Sequence, residues 1–167
     1  MKTAAALLAP ALLLAALSGC GLRPLYGGVD SAPRAMLSSV QVAPIEGQDG
    51  WLVAKELNDR FSAVSGGTPR YRLEVRLDDS ITGLGVRRDD SITRERRTLR
   101  ARYQLVDLST GTVVLDATAG SDAGVDVVGS EYATIAAEQT ALERLAGIVA
   151  DQIVARLALY AARTPQQ

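Results

Sequence analysis

The chain has 167 residues, a formal charge of −1, no histidine and a single cysteine, with 47% of its residues hydrophobic. That length suits one domain with a full core, and the near-neutral balance gives no sign of a nucleic-acid partner. Without histidine or a second cysteine, most zinc sites and the Ser-His-Asp and Cys-His nucleophile systems are excluded.

At the N-terminus Lys2 precedes an apolar run, Ala4 to Leu17, broken only by Pro10. The run is shorter than the roughly 20 residues a membrane span needs and has the length of a signal-peptide core. Leu17-Ser18-Gly19-Cys20 follows and matches a bacterial lipobox, in which the cysteine thiol takes a diacylglycerol and becomes the new N-terminus. The competing reading is an ordinary secretory signal with a chance cysteine. A charged start, a short core and a complete lipobox together favour lipidation. Two or three acyl chains, palmitate among them, would hold the protein stably on a membrane where one binds marginally. Gly21, not Asp, stands next to the cysteine, a pattern that sorts bacterial lipoproteins to the outer membrane.

The expected division is a signal peptide over 1–19, a lipidated tether over 20–36, a domain over 37–163 and a tail over 164–167. Within the domain, 37–45 (LSSVQVAPI) predicts a strand with Val40 and Val42 on one face. Asp49 is placed to cap a helix over about 50–64, with Ala54, Leu57, Phe61 and Val64 at helical spacing and Lys55 on the other side. Gly66-Gly67 stop it. RYRLEVRL then alternates strictly, with Tyr71, Leu73, Val75 and Leu77 on one face. A polar, Gly-containing connection is expected over about 79–92. A strand over 94–107 turns Leu99, Ala101, Tyr103 and Leu105 inward. Ser109-Thr110-Gly111 forms a hairpin turn, and a strand over 112–118 turns Val113, Leu115 and Ala117 inward. After a Gly/Asp-rich loop, a helix over about 131–162 carries the stripe Leu142, Leu145, Val149, Ile153, Leu157 and Tyr160. At about 45 Å, it should overhang a seven-residue strand of about 23 Å.

The order β-α-β-β-β-α makes the first strand parallel to a neighbour and the other three an antiparallel meander. Strict alternation leaves one sheet face buried, and each helix has one apolar stripe. The expected fold is α+β: a two-layer sandwich with both helices on one face of a four-stranded mixed sheet and the other face open. Lys55 is the only lysine of the mature chain, and its place on an outer helix face leaves no Ser-Lys pair; no enzyme, metal or cofactor is expected.

CGLRPLYGG after a lipobox, then this element order, resembles the lipopolysaccharide-assembly lipoprotein family LptE, in its alphaproteobacterial form. The terminal segments SEYATIAAEQTALERL and ADQIVARLALY are similar to that family's last helix. The resemblance implies a non-enzymatic outer-membrane lipoprotein on the periplasmic side, seated in the LptD β-barrel and assisting transfer of lipopolysaccharide to the surface. Beside it stands an auxiliary lipoprotein of a lipid-transport ABC system, and behind both a carboxylate-dependent hydrolase, for which no converging acids are apparent.

The residues themselves add an asymmetry. Ten basic residues, all arginine, fall within 70–102 beside six acids (Glu74, Asp78, Asp79, Asp89, Asp90 and Glu95), an excess of four positive charges. Arginine forks bind phosphate or carboxylate bidentately. Candidate contacts to lipopolysaccharide or to a partner are therefore Arg72, Arg76, Arg96 and Arg100 on the open face and Arg87 and Arg88 in the connection, with Cys20 as the lipidation site. The same arginines equally fit a solvated face paired with local acids and guarding against edge aggregation. Tyr26 reads as a docking residue or an exposed tether residue, and Trp51 as the edge of the core ahead of an interaction hot spot.

Overall fold

The computed structural model describes residues 32–64, 66–86 and 92–164. In chain order the elements are α1 (Ala32–Leu37), β1 (Val40–Val42), α2 (Gly47–Ser62), β2 (Tyr71–Val86), β3 (Ile92–Asp107), β4 (Val113–Asp126) and α3 (Glu131–Arg163). After the short α1 this is the expected β-α-β-β-β-α order. The sheet runs β1-β2-β3-β4, with β1 parallel to β2 and the remaining pairs antiparallel.

Both long helices pack on one face. Leu73, Val75, Leu99, Ala101, Tyr103 and Leu105 are buried beneath Leu52, Val53, Leu57 and Phe61 of α2 and the Leu142–Leu157 stripe of α3. α3 is apolar and long enough to cross a membrane by composition alone, but half of its most apolar window is buried in this core.

Several boundaries differ from expectation, each for a local reason. The tether expected to run to residue 36 ends in α1, where Pro33, Met36 and Leu37 are buried and the helix packs on α3. Pro33 near its first turn suits the position, where the missing N–H costs nothing. β1 is shorter than expected, because Leu37 belongs to α1 and ladder pairing ends at Val42↔Leu73. α2 begins at Gly47 and not 50, its cap position being Glu46 without a side-chain bond.

The largest difference is in strand length. Residues 79–86, expected as a connection, continue β2 without a register shift, and 119–126, expected as loop, continue β4. Sixteen-residue strands at about 3.3 Å per residue reach about 53 Å. The 33-residue α3 spans about 50 Å. Helix and sheet therefore match, and the expected overhang does not arise. A register shift between Leu105 and Val106 turns Val113 outward and lets Val114 pack on the core. At the β3–β4 turn Gly111 adopts φ 70°, a conformation that glycine takes without a Cβ penalty. The Asp107 carboxylate there accepts the Ser109 N–H (2.8 Å) and hydroxyl. These bonds hold its pKa below the usual carboxylate range.

Candidate functional site

On the open face, side chains of even number in β2 and β3 meet those of β4 in a grid set by the register. Arg94 lies opposite Asp126 and bonds it at 3.1 Å. Arg96 reaches Asp122 at 3.8 Å, and Arg102 bonds Asp116 at 3.1 Å while Gln104 donates to the same carboxylate at 2.8 Å. Arg102 first, then Gln104, holds Asp116 below the usual carboxylate range. Arg72 pairs along its own strand with Glu74 at 2.9 Å. All these pairs are exposed and screened by solvent, so each contributes little to stability.

Three of these acids, Asp116, Asp122 and Asp126, come from β4, outside the arginine-rich window. Across the three long strands Arg72, Arg76, Arg94, Arg96, Arg100 and Arg102 face Glu74, Asp78, Asp116, Asp122 and Asp126, an excess of one positive charge where the window alone suggested four. The solvated-face reading thus accounts for Arg72, Arg94, Arg96 and Arg102.

It does not account for Arg76 and Arg100, which make no ion pair with any described residue. Arg76 sits opposite Arg102, and Arg100 opposite Asp78. The two are diagonal neighbours on one face, with Cα atoms roughly 7–8 Å apart. A shallow depression of about 550 Å³ includes both, together with Asp78, Arg102, Thr118 and Gly120. Gly120 opposes Arg100 and makes room for it: a Cβ there would lie 2.7 Å from the arginine Cδ. Arg87, Arg88 and the lipidation residue Cys20 lie outside the described residues, as does Tyr26.

The one described arginine of β2 and β3 that faces the helices is Arg97. Its odd number puts it on the face of Leu99 and Ala101. There it forks onto Asp79 (Nε to Oδ1, 3.0 Å) and donates from Nη1 to the Glu138 carbonyl of α3 at 2.9 Å. Both side chains are largely buried, Arg97 12% and Asp79 19% exposed. Beside them Glu95 has one carboxylate oxygen buried without a hydrogen-bond partner. Burial first, and then Glu138, raises its pKa above the ordinary value. This polar layer crosses the sandwich near the start of α2. Trp51, expected at the core edge, is instead 63% exposed on that helix. Among the described residues no group of three or more acids, cysteines or histidines is placed to hold a metal.

The LptE lipopolysaccharide-assembly family model matches residues 37–157, most of the described fold. The chain belongs to the LptE family. Solved structures share the fold at low identity. A candidate lipoprotein of Caulobacter crescentus CB15 is 24% identical, with TM-score 0.66 over 82% of this chain and 100% of that one. A minor lipoprotein of Acinetobacter baumannii is 14% identical, with TM-score 0.57 over 74% of this chain and 94% of that one. Rare lipoprotein B of Shewanella oneidensis is 8% identical, with TM-score 0.57 over 71% and 95%. No curated protein matches the chain in sequence. LptE proteins serve lipopolysaccharide assembly and are not enzymes.

Proposed function

We propose that this chain is a lipid-anchored subunit of lipopolysaccharide assembly at the periplasmic side of the outer membrane. Its partner is an LptD-type β-barrel, and its open sheet face meets an anionic surface through Arg76 and Arg100. Family membership supports the process. The observation that carries the site is the adjacency of two outward guanidinium groups that form no ion pair with any described residue and have only Asp78 beside them, on a face where other arginines are paired. Free forks of this kind suit phosphate or carboxylate, and an approaching anion need not displace an existing ion pair. Arg102, already bound to Asp116, shapes the rim. Cys20 supplies the anchor.

The test is the double reversal Arg76→Glu with Arg100→Glu, which changes the local charge by four units without touching the buried face. Lipopolysaccharide binding and barrel co-purification are measured side by side at low and moderate salt. Exposed charges are screened over about 8–10 Å, so the loss should be largest at low ionic strength. Loss of lipopolysaccharide binding with the barrel retained identifies a lipid phosphate contact, and loss of the barrel alone identifies an acidic barrel wall. Retention of both at low salt refutes the site.

A further inference from the structure

Where β2 begins and β3 ends, the sandwich has an open-sided pocket of about 520 Å³. Met36 of α1, Val114 of β4 and Tyr160 and Ala161 of α3 form its apolar half, and Arg70 and Asp107 its polar half. The polar half is preset. The Arg70 guanidinium lies 5.3 Å from the centre of the Tyr71 ring, and its Nε is 3.5 Å from Asp107 Oδ2. The Asp107 side chain is 9% exposed, and both bonds from Ser109 go to Oδ1. Oδ2 is left with the Arg70 contact, longer than the usual 2.7–3.2 Å of an N–H···O bond. A carboxylate oxygen accepts more than one donor, so Oδ2 has capacity for another.

The occupant follows from where the longer stretches outside the described residues attach. Val86 and Ile92, which bound 87–91, pair at the other end of the β2–β3 ladder, about 50 Å from Tyr71. Residues 165–167 follow Thr164 at the pocket but carry only proline and glutamine. Residues 20–31 lead into Ala32, which is part of the pocket wall, and contain Leu25 and Tyr26. Tyr26 is the only aromatic residue before Trp51. A tyrosine joins an apolar ring to one hydroxyl, the same division as the pocket wall. Gly27-Gly28 follow it directly, a pair that reverses the chain without a Cβ penalty. Six residue steps separate Tyr26 from Ala32, so the wall is within reach and no part of the domain has to move. Covalent attachment to that wall also gives the segment an effective concentration on the order of millimolar, which a free molecule of like chemistry lacks.

We infer that Leu25 and Tyr26 dock in this pocket, the Tyr26 ring against Met36, Val114 and Tyr160 and its hydroxyl donating to Asp107 Oδ2. Docking shortens the link between anchor and domain. Cys20 is twelve residue steps from Ala32, at most about 40 Å, but six from Tyr26, at most about 20 Å. The end of the sandwich formed by α1 and the last turn of α3 is thereby held beside the membrane. The far end, where Tyr132 and Ile135 are exposed at the start of α3, points away from it. This orientation rests on Cys20 being the anchor; the docking itself does not.

The test is chymotryptic cleavage after Tyr26 in the full chain carrying Cys20→Ser, which takes the lipid out of the readout. Cleavage should become at least tenfold faster when Ala35→Trp and Thr68→Trp fill the pocket from two exposed wall positions. In a second measurement Leu25→Cys and Thr68→Cys are introduced in the same background, where they are the only thiols. Oxidation should close an intramolecular disulfide, and adding Tyr26→Ala should cut its yield at least fivefold. If circular dichroism shows that the tryptophans disturb the fold, the disulfide pair decides alone. Equal cleavage rates in a folded tryptophan variant, or a disulfide yield that does not depend on Tyr26, overturns the inference.

Discussion

Arg97 offers a demanding test of the fold, because its neighbours in sequence are surface arginines and it is not. Arg97→Ala would leave the Asp79 carboxylate, 19% exposed, facing the helices without its fork. It would also remove the bond that ties β3 to the Glu138 carbonyl. Breaking a buried pair from one side costs about 3–5 kcal/mol; with this residual exposure we expect about 2–4 kcal/mol. In urea that is a midpoint shift of about 1–2 M at constant m. Arg97→Met combined with Asp79→Leu removes both charges and should recover to within about 1 kcal/mol of wild type, since apolar replacement of such pairs is often neutral. Arg100→Ala, three residues on and exposed, should stay within about 0.5 kcal/mol. If Arg97→Ala costs no more than Arg100→Ala, or the double variant is no better than the single, the layer does not hold the helices to the sheet.

The remaining expectations use other parts of the molecule. Leu105→Ala or Ile153→Ala, each fully buried, should cost about 2–5 kcal/mol by denaturant melts. Glu95 has a folded pKa above its unfolded value, so the stability it adds is complete below the unfolded pKa and is lost as pH rises through the folded one. Glu95→Gln should therefore flatten that decline and be more stable than wild type at neutral pH, read from stability against pH. A decline of unchanged depth in the variant would assign it to other groups. Cys20→Ala should abolish acyl labelling of the chain while leaving the circular dichroism of the domain intact; persistent labelling would remove the lipobox reading.

What could be read from the residues is what their neighbours in sequence decide. RYRLEVRL shows its buried side by alternation, and α3 shows its stripe by period, because helices cover both. Beyond Leu77 the same strand carries Asp79, Ile81, Gly83 and Gly85, where apolar alternation fails and strand propensity is poor. There the pairing comes from backbone bonds to β3, which lie far apart in sequence and leave no local mark. The acids that neutralise the arginine grid are equally distant, since Asp116, Asp122 and Asp126 reach it only through the β3–β4 register. Arg97 was within reach: parity with Leu99 puts it inward, and an inward arginine demands an acid of the same parity, which Asp79 supplies. Trp51 was not, because its side of the helix depends on where α3 docks.

These differences share one cause. The sheet outruns α2, which starts level with the Arg97–Asp79 layer while β2 continues past it. An apolar layer at that level would end in water on the α2 side, as Ile81 does. A bidentate ion pair with a third bond to the α3 backbone tolerates partial hydration and still fixes the helix against the strands. The polar layer is thus where the two-helix sandwich ends and a one-helix extension begins. On that extension β2 keeps β3 on one side, but among the described residues it has no strand on the other and α2 does not reach it. Its outward donors and acceptors and the exposed Ile81 are consequences of strand length, and the inward Asp79 at the start of the extension is the kind of charge that blunts an open sheet edge.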